Sequence, residues 1–505
     1  MIIKQKFFTI YIISLILLLS TTIFGQVIEN LVWPIDRKLH DIFLGQIGFF
    51  KHKQENKIMK LIRIISLTLL VATLSIAQVN SIYDGPKPEI VKGLESRIDS
   101  LVSPYVKAGM FNGVILVAEG NQIMLQKAYG NANYELGVAN QPSTKFRIAS
   151  LSKQFTNAAI GILIDKGIIS PESRLSEFLP NFPRAGEITV RQLIEHRSGV
   201  PHTNTFEELK QVTHLSLPKM IELLASKPLD FDPGSNERYS NGGYDLLAAI
   251  IEKASGQDFE SFLSEHVFIP LGLQSTGRLH TYKVIQGLAD GYLPGIVPGG
   301  HTKARFYPSE IRIGGGSLYS TTKDVYRLFR ATFQREFASK KSGDLLFWDQ
   351  TKKYEITGRA PGFVAKVFID IPQDITIVSL ANNYSFLVNW GRRLYQAAIN
   401  DPWKTTSINW VKDTSLPDTT MQYTGIFESR WDRGFIEWGK NGNLIYENKE
   451  NDWRVAMIPL AKGYFLHPFF DSICRFSGNG IVDSLICRPV LKRINEETVF
   501  LRVKE

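Results

Sequence analysis

Strand-like segments lie at both ends of a long and mostly helical region of this 505-residue sequence. Residues 114–117 and 123–125 are apolar runs that flank a Gly-Asn turn at 120–121, which is the pattern of a β-hairpin. Two further strand-like runs, residues 363–369 and 375–380, follow only after the helices. We therefore expect an α+β fold, in which an antiparallel sheet combines the early and late strands and is flanked by helices, with a mostly helical subdomain between them.

The helices are predicted from apolar residues that recur at helical spacing. Residues 88–108 and 150–166 show this pattern, and the second segment carries a long apolar stripe. Residues 244–254 form a third candidate helix, and Gly256 marks its end because glycine commonly terminates helices. A fourth candidate helix covers residues 324–332.

The pattern changes near the C-terminus. Residues 403–420 are rich in Thr, Ser, Asp and Pro and are predicted to be a linker. Residues 421–505 alternate between strand-like runs and glycine turns, which predicts a small all-β domain built as an antiparallel sheet or barrel. The turn at 478–480 places Cys474 opposite about residue 484 or 485. We therefore expect no disulfide bond between Cys474 and Cys487, the two cysteines of the chain.

Two apolar segments precede the globular part of the chain. The first lies in the extension 1–58 and is uncharged from Phe7 to Phe24. The second, residues 59–77, has the basic start, short apolar body and small final residues of a secretory signal peptide. We expect translation to begin at Met59, which would make the extension a start-codon artefact; the alternative is membrane anchoring through the first run. Both interpretations place the body outside the cytoplasm, in the periplasm or the extracellular space.

The charge of the chain does not indicate a nucleic-acid partner. The formal net charge is +9, but residues 1–77 carry +5 of it, so the remaining 428 residues carry only +4. A nucleic-acid-binding domain is expected to concentrate much more positive charge on one face. The nine histidines have no metal-ligand spacing, and two cysteines are too few for a thiolate zinc site. We expect no metal and no other cofactor.

A serine and a lysine at i and i+3, Ser150 and Lys153, are the leading catalytic candidates. At the start of a helix this spacing places both side chains on one face. A buried lysine can lose its proton and act as the base that activates a serine hydroxyl. The spacing alone is weak, since Ser216 with Lys219 and Ser320 with Lys323 repeat it; such copies are usually helix caps beside solvated lysines.

A second candidate element is Tyr239-Ser240-Asn241. The Tyr239 phenol beside a lysine ammonium is expected to have a lowered pKa and to carry a proton to the leaving group. The Asn241 amide could hold a substrate carbonyl or the lysine. A third possibility, a Ser-His pair of Ser198 and His196, is weaker because the same segment is typical of a structural turn.

Together these segments resemble the serine β-lactamase and penicillin-binding-protein superfamily, in particular the branch of class C β-lactamases, D-alanyl-D-alanine carboxypeptidases and related esterases. The resemblance covers about residues 90–400, which predicts a hydrolase domain over 85–402. Besides residues 147–153, the supporting segments are 188–201, 231–234, 239–241, 270–273 and 315–320.

The resemblance implies a role for each matching residue. Ser150 corresponds to the nucleophile, Lys153 to its base partner, Tyr239 to the proton shuttle and Asn241 to the binder of a substrate amide. The third motif of the family, Lys-Thr-Gly or His-x-Gly on an edge strand, corresponds to residues 356–358.

In this third motif Thr357 and Gly358 match the family, and the backbone N–H of Arg359 would be the second oxyanion donor. Ile356 stands where the family has a basic residue. A cation there helps to bind a substrate carboxylate, so isoleucine favours neutral esters or amides over β-lactams, unless Arg359 or Lys366 restores the charge.

The sequence thus predicts an exported serine hydrolase with an acyl-enzyme mechanism. The expected substrate is a small molecule or peptide with an amide or ester bond, such as a D-amino-acid peptide, a small ester or a β-lactam. The alternative is a non-catalytic protein of the same fold that binds peptidoglycan or peptides, and Ile356 is the feature that keeps this alternative open.

Overall fold

The computed structural model describes residues 93–209, 212–295, 297, 299–308, 311–334, 351–385, 387 and 389–399, together with strand segments between 425 and 502. The predicted extension 1–58, the signal peptide 59–77 and the linker 403–420 lie outside the described residues. No helix in the described part of the chain has the length and apolarity that crossing a membrane requires.

Five antiparallel strands form the central sheet, and they come from both ends of the region as expected. The strand order is β10-β11-β12-β1-β2, so the first strand pairs with the last, with Gly113 opposite Ala381. The predicted α+β class is therefore confirmed. The strands are β1 (Gly113–Glu119), β2 (Gln122–Tyr129), β10 (Lys353–Ala360), β11 (Phe363–Asp370) and β12 (Ile375–Ala381).

The sheet is covered on both faces, because alternate residues of strand β1 enter different cores. Val114 and Leu116 belong to a large core with most of the helices, whereas Ile115 and Val117 belong to a smaller one. This follows from the two-residue period of a strand. Two helices supply the smaller core, α1 (Leu94–Lys107) and α9 (Trp390–Ile399).

The helices of the large core include α2 (Ser152–Asp165), which carries Lys153, and α5 (Asn241–Ser255), which begins at Asn241. Ser240 caps α5 by accepting a hydrogen bond from the N–H of Gly243, and Gly256 ends it with φ of 73°. The predicted end of this helix is thus confirmed. The other helices are α3 (Val190–Ile194), α4 (Leu217–Ala225), α6 (Phe259–Leu263), α7 (Ile313–Gly316) and α8 (Thr322–Phe333).

Short strands complete this region, in three small sheets. These strands are β3 (Asn131–Asn133), β4 (Val138–Ala139), β5 (Phe146–Arg147), β6 (Gly277–Arg278), β7 (Tyr292–Pro294), β8 (His301–Lys303) and β9 (Leu318–Ser320).

The C-terminal strands form one antiparallel sheet of nine strands, in which the first strand, β13, also pairs with the last, β21. Its outer strand β16 contacts the region of residues 93–399, where the N–H of Ala456 donates to the carbonyl of Gly295 at 2.9 Å. The strands are β13 (Gly425–Glu428), β14 (Arg433–Trp438), β15 (Leu444–Asn448), β16 (Trp453–Ala456), β17 (Ile458–Pro459), β18 (Tyr464–His467), β19 (Ser472–Ser477), β20 (Ser484–Pro489) and β21 (Thr498–Arg502).

The expectation that the two cysteines do not pair is wrong. Strands β19 and β20 pair with Ser477 opposite Ser484, and this register brings Cys474 directly opposite Cys487. Cys474 is buried and disulfide-bonded, and Cys487 is the only other cysteine of the chain. The error arose because the connection between the strands is longer than a tight turn at 478–480, which moves the register by two to three residues.

Candidate active site

Ser150 lies in a short turn just before helix α2, rather than in the helix itself. The turn is a 3-10 segment, Ala149–Leu151, and the helix begins at Ser152. Ala149 has a φ of 46°, a left-handed conformation that costs a non-glycine residue free energy. This turn lies between strand β5 and the helix, and Ser150 lines the cavity that is described below.

Lys153 is buried in the first turn of α2 and has three polar partners. Its Nζ donates to Asn241 Oδ1 at 2.6 Å and to the carbonyl of Gly315 at 2.8 Å. The distance to Ser150 Oγ is longer, 3.4 Å. The residue is only 4% exposed. The predicted pair of Ser150 and Lys153 is therefore in contact, and Asn241 and Gly315 fix the position of the amine.

The environment of Lys153 favours its neutral form. Burial lowers the pKa of Lys153 to about 7, the nearby Asp245 carboxyl opposes this shift, and the Arg312 guanidinium adds to it. A lysine with such a pKa is largely an amine slightly above neutral pH and can accept a proton from the serine hydroxyl.

Tyr239 completes the contact with the serine. Its hydroxyl donates to Ser150 Oγ at 2.7 Å, and the Lys153 Nζ lies 4.8 Å from the centre of its ring. Partial burial raises the pKa of Tyr239, and the hydrogen bond to Ser150 offsets only part of this. The expectation of a lowered phenol pKa is therefore wrong, because burial of the phenol outweighs the hydrogen bond to Ser150. Tyr239 is a neutral phenol that can relay a proton.

Two histidines hold the segment that carries Tyr239 and Asn241. The Nδ1 of His196 accepts the backbone N–H of Ser240 at 3.2 Å, and the Nδ1 of His202 accepts that of Asn241 at 3.1 Å. Burial lowers the pKa of both imidazoles to about 4, so both are neutral. Since Nδ1 is an acceptor in each ring, the proton must be on Nε2.

Asn241 is engaged at both ends of its amide. Its Oδ1 accepts from Lys153, and its Nδ2 donates to Asn204 Oδ1 at 3.1 Å. Of the two roles that the sequence suggested, the contact with the lysine is the one that these hydrogen bonds make.

The third motif lies on the edge strand β10, beside the turn Ala149–Leu151 that carries Ser150. A Cβ placed on Gly358 would lie 3.1 Å from the backbone nitrogen of Ser150 and would overlap the carbonyl oxygen of Ile148. Only glycine permits this close approach of strand and turn. Thr357 and Arg359 line the cavity, as predicted, whereas Ile356 packs against the large core.

Lys366 does not supply the charge that Ile356 lacks. It lies opposite Thr357 on β11, and its buried Nζ donates to the carbonyl of Leu387 at 2.7 Å and to Glu355 at 3.4 Å. These contacts belong to the side of the sheet that packs against Trp390, where Lys366 borders a separate small cavity. Of the two basic residues considered from the sequence, only Arg359 reaches the cavity with Ser150.

Five of the seven predicted residues line one cavity of about 430 Å³, whereas Lys153 and Gly358 are not in its lining. Its lining also contains five large polar side chains that no sequence motif indicates, because each lies in a loop or turn without a repeating pattern. They are His202, Asn204, Tyr307, Arg312 and Tyr384. Within the described ranges, no group of three His, Cys, Asp or Glu residues could hold a metal ion.

The other copies of the Ser-x-x-Lys spacing are not sites. Lys219 is on the surface in an ion pair with Glu222, and Lys323 is exposed on α8. His196 and Ser198 do not form a pair either, since Ser198 Oγ accepts the N–H of Val200. Among the serines followed by a lysine three residues later, Ser150 is the one whose lysine is buried against its hydroxyl.

Comparison with known protein families gives one assignment over most of this region. The sequence model of the beta-lactamase family matches residues 98–398. A penicillin-binding protein of Bacillus subtilis (strain 168) is 32% identical over 252 residues, which cover 47% of this chain and 55% of that protein. A teichoic acid D-alanine hydrolase of Staphylococcus aureus is 26% identical over 291 residues, 57% of this chain and 69% of that protein. The chain thus spans little more than half of the first of these relatives.

Solved structures show the same fold. The D-amino acid amidase of Ochrobactrum anthropi SV3 superposes with a TM-score of 0.53 at 19% identity, over 61% of this chain and 98% of that protein. A penicillin-binding protein of Bacillus halodurans gives a TM-score of 0.51 at 24% identity, over 62% and 100%. At these identities the similarity defines the architecture alone.

Proposed function

The chain belongs to the beta-lactamase family, and from that premise we propose that it is an exported serine hydrolase with an acyl-enzyme mechanism. The observation that carries the proposal is the meeting of three side chains at one oxygen atom. Tyr239 and Lys153 contact Ser150 Oγ at 2.7 and 3.4 Å, although 86 residues separate the lysine from the tyrosine in sequence. A structural cluster would not need a buried lysine with a pKa near neutrality.

In the acylation step, Ser150 Oγ attacks the carbonyl carbon of the substrate. The hydroxyl proton passes to the neutral amine of Lys153, directly or through Tyr239, whose hydroxyl is closer to the serine. The carbonyl oxygen becomes an oxyanion, which the backbone N–H groups of Ser150 and Arg359 stabilise; one such donor typically contributes about 10²–10³ in rate. Tyr239 then gives a proton to the leaving amine or alcohol as its bond to the carbonyl carbon breaks.

Deacylation reverses the roles with water as the nucleophile. A water molecule attacks the acyl carbonyl carbon, and Tyr239 and Lys153 take its proton. The bond to Ser150 Oγ then breaks, the serine regains its proton, and the carboxylic acid leaves. No group outside the described side chains and water is needed for this balance of protons.

We further propose that the substrate is an amide or ester, such as a D-amino-acid peptide or a small ester, with a β-lactam as a weaker candidate. The teichoic acid D-alanine hydrolase to which the chain is similar supports the D-amino-acid ester by its name. Export is supported by the signal-like residues 59–77, and sequencing of the mature N-terminus tests it. A start near Gln78 supports export, whereas recovery of the intact chain in the cytoplasm contradicts it.

The alternative, a binding protein without catalysis, rests on Ile356 in the third motif. Incubation with a fluorophosphonate probe and with a fluorescent penicillin, followed by intact-mass measurement, separates the two functions. The enzyme is expected to gain one adduct, and Ser150→Ala should gain none. Ser216→Ala is the matched control because Ser216 has the same spacing to a lysine but lies away from the cavity. Folded protein that gains no adduct from either probe contradicts the hydrolase.

A further inference from the structure

The cavity around Ser150 is lined by two arginines, Arg312 and Arg359, and by no aspartate or glutamate among the described residues. Arg312 is the more unusual of the two because it is only 6% exposed. Its Nε donates to the Tyr307 hydroxyl at 3.1 Å. Its Nη1, however, is buried and has no acceptor in the part of the chain that the structure describes. A buried guanidinium normally has its donors satisfied, so this arrangement points to a missing acceptor.

Asp245 interacts electrostatically with Arg312, but it does not supply that acceptor. Its Oδ1 accepts the N–H of Gly314 at 3.2 Å, and its Oδ2 has no hydrogen-bond partner among the described residues. No ion pair within 4 Å joins it to Arg312 in the described part of the chain. Burial raises the pKa of Asp245 to about 7, so its charge only partly balances that of the arginine near neutral pH.

A second donor in the cavity is fixed by a different contact. The Nδ1 of His202 accepts the backbone N–H of Asn241, and the ring is neutral, which places the proton on Nε2. No acceptor for this N–H is found among the described residues. His202 lines the same cavity as Arg312, and the positive charge of Arg312 is close enough to help lower the pKa of His202.

We propose that Arg312 and His202 form an anion subsite that binds a carboxylate of the substrate. The proposal rests on the hydrolase function above and adds the charge of the substrate to it. A guanidinium binds a carboxylate with paired hydrogen bonds, and the His202 N–H adds a third. The subsite compensates for Ile356 from a different element, since Arg312 directly precedes α7 whereas Ile356 is on the edge strand β10. The chain therefore prefers anionic over neutral substrates, contrary to what Ile356 alone suggests.

The test compares substrate pairs that differ only in this charge. For the acyl side, the pair is mono-4-nitrophenyl glutarate and its methyl ester. For the leaving-group side, the pair is 4-acetoxybenzoate and its methyl ester. The kcat/KM of every substrate is divided by the rate constant for its hydrolysis by hydroxide. Wild-type protein is expected to show a kcat/KM ratio of anionic to neutral substrate of about 10 to 100 in one pair, the range for hydrogen bonds to a charged group.

Arg312→Gln is expected to reduce that ratio to about 1, and His202→Gln to reduce it in part. The ratio is the readout because any general effect of Arg312 on Lys153 changes both substrates equally. Arg191→Gln removes the same charge from the surface, in an ion pair with Glu172, and should leave the ratio unchanged. Arg312→Lys should restore part of the preference.

The inference and the hydrolase function fail in different ways. If wild-type protein hydrolyses the neutral esters through Ser150 but shows no preference in either pair, the anion subsite is wrong and the hydrolase stands. The same conclusion follows if Arg312→Gln lowers the melting temperature but keeps the wild-type ratio, because Arg312 is then only structural. If no ester is hydrolysed at all, the hydrolase function itself is wrong.

Discussion

Lys153 Nζ lies 2.6 Å from Asn241 Oδ1, which is closer than its 3.4 Å distance to the hydroxyl oxygen of Ser150. Together with the Gly315 carbonyl, the amide therefore holds the lysine amine in position, and the start of helix α5 contributes to the geometry of the proposed catalytic group. Asn241→Ala is expected to lower the rate of fluorophosphonate labelling about 10²-fold, within the range for a misplaced general base. The exposed Asn236 provides the control, and Asn236→Ala should label at the wild-type rate. Equal labelling of both variants would show that Lys153 does not depend on Asn241.

The pH dependence should follow the protonation of Lys153. Since burial lowers the pKa of Lys153 to about 7, kcat/KM is expected to rise as the pH increases through 7 and the amine loses its proton. Asp245 stabilises the charged ammonium, so Asp245→Asn should lower this pKa and move the rise to lower pH. Asp232→Asn, which removes a surface charge paired with Arg184, should leave the profile in place. A profile that Asp245→Asn does not move would contradict the assignment of the rise to Lys153.

Tyr239 should contribute to the rate and not to stability. Tyr239→Phe removes the hydroxyl that contacts Ser150 Oγ and keeps the ring, so kcat is expected to fall about 10²- to 10³-fold with the melting temperature nearly unchanged. Tyr282→Phe is the control because Tyr282 is exposed on the surface. Steady-state kinetics and thermal unfolding of both variants check this. Wild-type kcat in Tyr239→Phe would remove the tyrosine from the mechanism.

Gly358 should tolerate no side chain. In Gly358→Ala the new methyl group would overlap the carbonyl oxygen of Ile148 and crowd the backbone nitrogen of Ser150. Strand β10 and the turn that carries Ser150 must therefore separate. We expect a loss of about 1–3 kcal/mol in the free energy of unfolding and a large loss of activity. Gly186→Ala is the matched control because nothing lies within 4 Å of the position of its Cβ. Denaturant titrations compare the two; equal stability would mean that the close approach is not required.

The sequence predicted the fold and the contact of Ser150 with Lys153 because both rest on repeating patterns or fixed spacings. The apolar run of residues 114–117 and the stripe of residues 150–166 specify strand and helix locally. Ser150 and Lys153 are three residues apart on one turn, so their contact is nearly local. Tyr239 was identified through the resemblance to a family, since its contact with Ser150 joins segments that are 89 residues apart in sequence.

The rest depended on tertiary contacts that leave no pattern in the sequence. Arg312 and His202 are loop and turn residues whose importance comes from the cavity that they share. The pairing of Cys474 required the register of two strands, which changes with the length of one turn. The pKa of Tyr239 depended on how deeply the phenol is buried, which tertiary packing decides.

The central claim is that Ser150 is the nucleophile, and mapping of the covalent adduct tests it most directly. After labelling with the fluorophosphonate probe, trypsin releases the peptide of residues 148–153, which contains both Ser150 and Ser152, and fragment masses distinguish the two. We predict that the probe is on Ser150 and that Ser150→Ala yields the unlabelled peptide. An adduct on Ser152 or on any other residue, or undiminished labelling of Ser150→Ala, would contradict the account.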